Sequence, residues 1–336
     1  MFIKPELKYP IDLHVSCDVV DSTKLNSFMT CPRMYFYEHV LGWSIPSNHL
    51  VFGKAWHEAM EHLLLTSYEK DDLVVAYQKF ITEYSKVYTP DEYEDFSPKT
   101  PKRAMYALIA YTEHWKYDRS EFELLELDGK PLTEIAGNVV LSDEFSLYFR
   151  MDAICKGARG IFPFEHKTGS SSYMWAEQWD LAMQVYTYLY VMYCMFDAQY
   201  VEGVRLNGTI FKKTKDTKTR ETHRTIDRHF EFLRPTIYRT PEQIEAWMER
   251  TIYHMSMMRY NYDLLAKDTV DAKIMRAFPM VTTSCTKYMG CDYKTFCMSI
   301  DNPLKHAIHG TPIGWDKKHW DPTEGEIRDI GTLKLK

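Results

Sequence analysis

The sequence predicts an α/β fold in which a small mixed β-sheet is flanked by helices, with an N-terminal helical portion and a Cys-rich C-terminal segment. Two observations support this prediction. Apolar residues follow the helical period from about residue 22 to 120, and the pattern changes to short strand-like runs after Leu132. Hydrophobic residues make up 45% and charged residues 26% of the 336 residues, which is the balance of a folded globular protein.

The same periodicity predicts the order of the elements. Helices are expected at residues 22–40, 52–68, 71–88, 101–117, 176–196 and 241–265, and strands at residues 139–141, 145–154, 161–167, 200–211 and 229–233. We expect one integrated domain in three parts, namely a helical portion (1–130), a core with the sheet (131–240), and a C-terminal helix with the Cys-rich segment (241–336). The tail after residue 284 has little periodicity, so something other than packing is expected to hold it.

Composition excludes several classes of protein. Charges interrupt the apolar stretches, and none approaches the ~18 residues that cross a bilayer. The N-terminus lacks an apolar signal core, so we expect a cytoplasmic protein without a membrane partner. The 41 basic and 47 acidic side chains give a net charge of −6, which means that any nucleic-acid site must be local. The sequence contains no Walker A motif and therefore no visible helicase motor.

The most informative motif is a predicted hairpin that carries two carboxylates and an amine. Asp152 lies on its first strand, and Glu165 and Lys167 lie two residues apart on its second strand, so these two project from one face. Oxygen ligands suit Mg²⁺ or Mn²⁺, and such an ion can stabilise charge on a phosphodiester oxygen and lower the pKa of a bound water. Lys167 would position that water. A surface hairpin with scattered charges is the alternative.

Two helical positions add to this motif. His57 could complete a carboxylate metal site, although a lone helical histidine is more often a core or capping residue. A zinc-protease motif is excluded, because Glu61 stands where His-Glu-x-x-His needs its second histidine. Gln184 and Tyr188 share one face of the apolar helix, where an amide and a phenol could also simply satisfy backbone groups.

Together these residues resemble a known nuclease family. Their order is Gly-x-x-x-His57, then Glu134 at the start of a strand, Asp152, Glu165-x-Lys167-Thr-Gly and Gln184-x-x-x-Tyr188. This order is similar to that of the RecB-like exonuclease branch of the PD-(D/E)XK nuclease superfamily, over about residues 22–300. The resemblance implies a restriction-endonuclease-like core that hydrolyses DNA phosphodiester bonds with a divalent metal, most simply as an exonuclease on single strands or DNA ends.

The resemblance also implies a role for each of these residues. The implied ligands of Mg²⁺ or Mn²⁺ are His57, Asp152 and Glu165. Lys167 would be the catalytic lysine, and Gln184 and Tyr188 would support the site and contact DNA. Glu134 is similar to the acidic residue that often begins the first core strand of the family, which makes it a further candidate.

Four of the seven cysteines are spaced to bind a second group. Cys31 precedes the predicted core, and Cys285, Cys291 and Cys297 lie in the irregular tail. An odd count without an export signal argues against a disulfide framework, whereas thiolates at this spacing can converge on a soft metal or an iron–sulfur cluster. The arrangement resembles iron–sulfur nucleases of the same superfamily, of the AddB type or CRISPR-associated, which implies a [4Fe–4S] cluster. The five residues between Cys285 and Cys291 exceed the usual gap, and structural Zn²⁺ is the competing interpretation.

A basic segment at residues 212–224 is a candidate DNA contact, since it holds six Lys and Arg against two acidic residues. The side chains expected to bind phosphates are Lys212, Lys213, Lys215, Lys218 and Arg220. A solvated hairpin tip explains the segment equally well. Aromatic side chains that could stack on unpaired bases, although most are expected in the core, are Tyr35, Phe36, Tyr37, Trp43 and Trp56.

A second class of function stays open. A DNA-binding or adaptor protein on a nuclease fold could act without cutting, inside a repair, recombination or CRISPR-adaptation assembly. The intact set of Asp152, Glu165 and Lys167 argues against this, because binding alone does not require all three. A helicase or integrase is a candidate partner, since any unwinding must come from another protein, and the resemblance fits a bacterial, archaeal or phage-encoded protein.

Overall fold

The computed structural model describes residues 1–213, 229–286, 290–325 and 327–335, and it has the mixed α/β architecture that the sequence predicts. Its helices are α1 (Ser22–Thr30), α2 (Pro32–Tyr35), α3 (Asn48–Leu65), α4 (Lys70–Tyr84), α5 (Pro101–His114), α6 (Asp118–Glu121), α7 (Met183–Met195), α8 (Pro241–Leu265), α9 (Lys294–Ser299) and α10 (Leu304–Ala307). Its strands are β1 (Trp43–Ser44), β2 (Phe122–Leu124), β3 (Glu126–Leu127), β4 (Lys130–Pro131), β5 (Thr133–Val140), β6 (Ser146–Gly157), β7 (Gly160–Gly169), β8 (Val204–Phe211), β9 (Phe230–Leu233), β10 (Thr236–Ile237), β11 (Asp316–Lys317) and β12 (Arg328–Leu333). Within the described residues, no helix combines the length and the apolar character needed to cross a membrane.

The chain forms two compact units, each assembled from separate stretches of sequence. The first unit contains Met1–Pro46, Ala136–Phe149 and Pro241–Lys336. The second unit contains Ser47–Ile135 and Arg150–Thr240. The cysteines with ligand spacing all belong to the first unit, and the residues expected to bind the divalent metal all belong to the second.

The sheet is mixed, with the order β10-β8-β7-β6-β5-β12, and β9 also pairs with β8 while β2 pairs with β6. In the second unit, β6 and β7 form an antiparallel hairpin that closes at the Gly157–Gly160 pair, as the Gly-Ala-Arg-Gly turn predicts. β7 and β8 are parallel neighbours. Parallel neighbours need a crossover connection, and α7 lies in the connection between them.

Helices α3, α4 and α5 form an aromatic core with β8 and β9 in the second unit. Phe52 and Trp56, one turn apart on α3, have ring centroids 4.9 and 5.4 Å from that of Phe211 on β8. α5 begins at a sequence-encoded cap, because Thr100 accepts the Arg103 N–H and proline occupies the first helical position. This packing fixes α3 against the strands and thereby positions His57, which follows Trp56.

The first unit is held together by α1, α8 and buried aromatic residues. Asp21 caps α1, where its Oδ1 accepts the N–H of Lys24 at 2.8 Å. The hydroxyls of Tyr35 and Tyr262 lie 2.9 Å apart, and both side chains are fully buried. A buried phenol paired in this way satisfies its polar atom without water.

Two predicted helices differ from the apolar pattern, one by a break and one by a later start. The helix predicted at residues 22–40 is interrupted: α1 ends at Thr30, because Cys31 is extended with φ −163°, and helical structure resumes at Pro32 with α2 and a π-helix at Phe36–Val40. The helix predicted at residues 176–196 begins only at Met183, after a separate 3₁₀ turn at Glu177–Trp179. The helix predicted at residues 241–265 has those bounds, whereas β5 begins at Thr133, well before the predicted start at residue 139.

Candidate active site

The β6–β7 hairpin brings together the two carboxylates that the sequence singles out. Ala153 pairs with Phe164 across the hairpin, so Asp152 and Glu165 are the next facing pair. Glu165 and Lys167 project from the same face of β7, and Lys167 Nζ donates to Glu165 Oε1 at 2.6 Å. The Glu165 side chain is 3% exposed and that of Asp152 is 12% exposed. The predicted convergence of two carboxylates and an ammonium is therefore present.

His57 reaches this pair from α3. Its Nδ1 donates to Asp152 Oδ1 at 3.0 Å, while Asp152 Oδ2 accepts the backbone N–H of His166 at 2.7 Å. Both oxygens of Asp152 are thus oriented by the protein. Because Nδ1 of His57 is used by the carboxylate, Nε2 is the ring nitrogen left for another ligand.

Glu134 completes a group of ligand atoms. The imidazole of His57 and the carboxylates of Glu134 and Asp152 each offer one ligand atom, and these three atoms lie within 4.8 Å of one another. Glu134 has φ 44°, a left-handed conformation that is uncommon for a residue other than glycine. Its Oε2 also lies 2.7 Å from an Nη of Arg150. A strained backbone that aims a carboxylate into a polar cluster is typical of functional sites.

Glu165 has one oxygen engaged by the protein and one not. Oε1 accepts hydrogen bonds from Lys167 and from Gln184 Nε2, the latter at 3.0 Å. Oε2 is buried and accepts no hydrogen bond from the residues that the structure describes. A buried carboxylate oxygen without a donor is costly unless a cation or water completes it. This oxygen therefore fits a metal ligand.

Gln184 and Tyr188 support Glu165 from α7. They lie one helical turn apart, and Gln184 Nε2 also donates to the Tyr188 hydroxyl at 2.7 Å. That hydroxyl in turn donates to the backbone carbonyl of Arg150 on β6. Tyr188 is only 2% exposed. The pair thus links α7 to both strands of the hairpin.

The cluster is crowded with negative charge. Burial opposes ionisation of Asp152, but the charge of His57 and its hydrogen bond hold the pKa of that carboxyl well below its usual range. Burial likewise opposes protonation of His57, yet the Asp152 carboxylate raises the His57 pKa to about 9. Burial and the Asp152 charge raise the pKa of Glu134 to about 7, and they also raise the pKa of Glu165. A divalent cation would offset this repulsion between carboxylates.

The residues predicted to bind DNA are only partly within the described structure. Lys212 lies at the end of β8 and forms an ion pair with Glu231 at 2.6 Å, and Lys213 is exposed. The predicted contacts that fall outside the described residues are Lys215, Lys218 and Arg220.

The N-terminal aromatic residues lie in the cores, as expected for most of them, and none of the five is exposed enough to stack on a base. All five are between 0% and 3% exposed and belong to the cores: Tyr35, Phe36, Tyr37, Trp43 and Trp56. Their rings pack against other aromatic rings, for example Tyr37 against Tyr293 with centroids 5.5 Å apart. Aromatic content near a motif therefore did not identify an exposed surface.

Sequence reasoning missed three residues that shape the site. Arg150 lies two residues before Asp152 on the same strand face, which is a signal that the period of two could have supplied. His166 and Asn207 had no such signal. Asn207 Nδ2 donates to His166 Nδ1 at 2.8 Å across the parallel β7–β8 pair, a contact between residues far apart in sequence.

The four cysteines with ligand spacing lie near one another in the first unit. Cys31 Sγ accepts the Val281 N–H at 3.3 Å, and the Cys291 N–H donates to the Cys285 carbonyl at 3.2 Å. Burial raises the pKa of the Cys297 thiol to about 11, with further contributions from the neighbouring thiols. Cys17, Cys155 and Cys194 are free thiols with no such grouping in the described part of the chain.

Comparison with known proteins identifies the family. No curated protein matches the chain. The model of the PD-(D/E)XK nuclease superfamily matches residues 22–298, which include every residue of the hairpin site. Nucleases of this superfamily use divalent metals, and the superfamily implies hydrolysis of DNA. From this match and from the mixed sheet that carries Asp152, Glu165 and Lys167, we conclude that the chain belongs to the PD-(D/E)XK nuclease superfamily.

Proposed function

We propose that the protein is a divalent-metal-dependent exonuclease that hydrolyses phosphodiester bonds at DNA ends or in single strands. The observation that carries the proposal is the buried Glu165 Oε2, which lacks a donor among the described residues and belongs to a carboxyl group held by a lysine. A structural role for this glutamate would not require an unsatisfied buried oxygen beside an ammonium.

The donor set fits Mg²⁺ or Mn²⁺. Carboxylate oxygens and one imidazole suit a hard divalent cation, and the residues that would hold it are His57, Asp152 and Glu165, with Glu134 as a further ligand. Such an ion supplies Lewis acidity toward a phosphodiester oxygen and lowers the pKa of water. No thiol belongs to this set, which argues against a soft metal here.

We assign to Lys167 the role of contacting the attacking water or the phosphate that reacts. Its side chain is 19% exposed, so the ammonium is reachable from solvent although it is partly enclosed. Its contact with Glu165 fixes its position, and its remaining N–H groups can donate to an attacking water or to a phosphate oxygen that gains negative charge. Gln184 and Tyr188 hold Glu165 in place from α7.

The RecB-like assignment is part of this proposal. It is supported by the Gln184-x-x-x-Tyr188 pair, which contacts the metal-ligand carboxylate, and by the helical histidine that contacts Asp152. The sequence has no Walker A motif, so any unwinding must come from another protein, and we propose a helicase or integrase partner in repair, recombination or CRISPR adaptation. The division into residues 1–130, 131–240 and 241–336 stays a prediction from the sequence.

We also propose that Cys31, Cys285, Cys291 and Cys297 bind a [4Fe–4S] cluster. Four thiols are the ligand set of such a cluster, and a shared cluster would join the start of the first unit to its irregular tail. A structural Zn²⁺ uses the same ligands. Anaerobically purified protein should be brown, with equal amounts of iron and acid-labile sulfide, and Cys291→Ala should lose both. Stoichiometric zinc in colourless protein would establish the zinc site instead.

The nuclease proposal is tested by degradation of end-labelled DNA with Mg²⁺ or Mn²⁺. Wild-type protein should release labelled nucleotides, and Lys167→Ala should not. Lys156→Ala, which removes an exposed lysine on the same hairpin, should cut as the wild type does. Placing the label at either end also determines the polarity of cleavage. If folded wild-type protein binds DNA but leaves it intact with both metals, the non-cutting adaptor is the correct function.

A further inference from the structure

The segment that follows the catalytic strand exposes large apolar side chains. This segment, residues 170–182, runs from the end of β7 to the start of α7 and is named here the β7–α7 segment. Tyr173 is 84% exposed, Leu181 is 80% exposed and Met174 is 56% exposed. Single exposed apolar residues are ordinary, but three in one short segment beside a catalytic lysine suggest a binding surface.

The β7–α7 segment is held in a defined conformation. The ring of Trp175 is 3% exposed and packs where Gly169 and Gly208 lack side chains, since a Cβ at Gly208 would collide with it. The Tyr173 N–H donates to Ser171 Oγ at 3.2 Å, and Met174 adopts a left-handed φ of 50°. Tyr173 is therefore presented from an ordered turn, which lowers the entropic cost of binding.

The same segment touches the catalytic lysine. The Trp179 ring centroid lies 5.3 Å from Lys167 Nζ, and the rings of Trp175 and Trp179 are 6.1 Å apart. A substrate whose phosphate reaches Lys167 would consequently pass close to the β7–α7 segment.

The β7–α7 segment and the neighbouring end of β8 differ in charge. Ser172, next to Tyr173, and Lys212 both hydrogen-bond to the Glu231 carboxylate, and Lys213 is exposed beyond Lys212. The β7–α7 segment itself carries exposed Glu177 and Asp180, which repel phosphates. The lysines therefore lie at the end of β8, where a phosphate could bind. The β7–α7 segment instead offers apolar surface, which suits the bases of a nucleic acid better than its phosphates.

We propose that Tyr173 stacks on an unpaired base of the strand being cut, with Leu181 as a further apolar contact. The phenol of Tyr173 is exposed, and its neighbour Ser172 shares the Glu231 carboxylate with Lys212. This placement matches the way in which proteins bind single strands, where rings stack on bases and cations track the backbone. Stacking requires a base that is free of its partner, so this surface selects single-stranded or frayed DNA. The inference rests on the proposed nuclease function and defines its substrate class.

The test measures binding separately from cleavage. In the Lys167→Ala background, fluorescence anisotropy gives the Kd of a labelled oligothymidylate and of a strand of equal length that lacks bases. Tyr173→Ala should weaken binding of the oligothymidylate about 5- to 100-fold and leave the abasic strand unchanged. Tyr173→Trp should bind as the parent does. Wild-type protein in EDTA provides the same comparison if Lys167→Ala fails to fold.

Tyr200→Ala is the matched control, because this tyrosine is 55% exposed but lies outside the β7–α7 segment. Its Kd values should equal those of the parent. The inference is overturned if Tyr173→Ala binds both strands as the parent does, if it weakens both equally, or if the parent does not bind oligothymidylate. A different result would separate the two proposals. If Tyr173→Ala weakens binding of the oligothymidylate but wild-type protein never cleaves DNA, the nuclease proposal is wrong and the stacking surface is still supported.

Discussion

Glu165 divides its two oxygens between the protein and an expected ligand. Oε1 is fixed by Lys167 and Gln184, and Oε2 remains buried without a donor in the described residues. A carboxylate held in this way cannot rotate without breaking two hydrogen bonds. The residues that hold it should therefore influence metal affinity although they do not touch the metal.

Gln184→Ala should lower metal affinity or cleavage about 10- to 100-fold, because it removes the amide that orients Glu165. Calorimetric titration with Mn²⁺ measures the affinity, and end-labelled DNA measures the rate. Gln78→Ala, an exposed glutamine on α4, is the control and should match the wild type. Unchanged Mn²⁺ affinity and rate in Gln184→Ala would show that Glu165 is positioned without it.

His39 in the first unit should make stability sensitive to acid. Burial lowers its pKa to about 3, with smaller contributions from Lys24 and His319, whereas an unfolded histidine titrates near 6.5. The neutral ring therefore stabilises the fold above pH 6.5, and this contribution is lost as the pH falls below 6.5. Between pH 7 and pH 5 the loss is about 2 kcal/mol.

Urea unfolding at the two pH values measures this loss. His39→Gln should lose less stability on acidification than the wild type, and His309→Gln, at an exposed position, should lose as much as the wild type. Equal acid sensitivity in His39→Gln and the wild type would assign the effect to other groups.

Residues close in sequence were predictable at this site, and residues that meet across the fold were not. The period of two on a hairpin is enough to place Asp152 opposite Glu165. By contrast, the contact of His166 with Asn207 depends on the register of a parallel pair, which the sequence does not encode locally. Glu134 was a candidate by resemblance, but its left-handed backbone has no sequence signal.

At the scale of elements, a buried ion pair between Arg234 and Asp118 contacts the β7–β8 pair through Asn207. Arg234, between β9 and β10, contacts both oxygens of Asp118 at 2.6 and 2.9 Å and donates to Asn207 Oδ1 at 3.0 Å. Asn207 in turn contacts His166, which lies between Glu165 and Lys167 on β7. The buried network therefore connects α6 to the strand that carries the proposed catalytic residues.

Arg234→Met should lower the free energy of unfolding by about 3–5 kcal/mol, because Asp118, 2% exposed, would keep a buried charge without its partner. Chemical denaturation measures the change. Arg159→Met removes an arginine that is 75% exposed, although it also pairs with a glutamate, and should cost less than about 1 kcal/mol. Similar losses in the two variants would mean that the buried pair has no special role.

Element boundaries show where local patterns fail. The apolar pattern over residues 22–40 is helical throughout, but the proline at position 32 and the extended Cys31 interrupt it. This break presents the Cys31 sulfur to the Val281 N–H. The helix at 176–196 was predicted too long for a related reason, since its first apolar residues belong to the β7–α7 segment rather than to a helix face.

At the scale of the whole molecule, DNA binding must overcome a net charge of −6. Affinity should fall steeply with salt, and Lys213→Ala should weaken binding to all sequences and reduce the slope of log K against log salt by about 1. Binding measured by anisotropy over a range of salt concentrations gives this slope. Lys156→Ala should leave it unchanged, and an identical slope in Lys213→Ala would remove Lys213 from the interface.

The fold class and the β6–β7 hairpin could be predicted from sequence because both depend on local periodicity and on one short turn. The assembly of two units from interleaved stretches could not, because no change in composition marks where the chain passes from one to the other.

The hydrogen bond between His57 and Asp152 joins residues 95 positions apart, whereas Asp152, Glu165, Lys167, Gln184 and Tyr188 all lie within a single stretch of fewer than forty residues. During synthesis, the carboxylates and the lysine emerge together on one hairpin and its crossover helix, but the imidazole joins them only when α3 has docked. A nascent or partly unfolded chain therefore holds an incomplete ligand set. Only the finished fold holds all the residues that the proposed metal site requires.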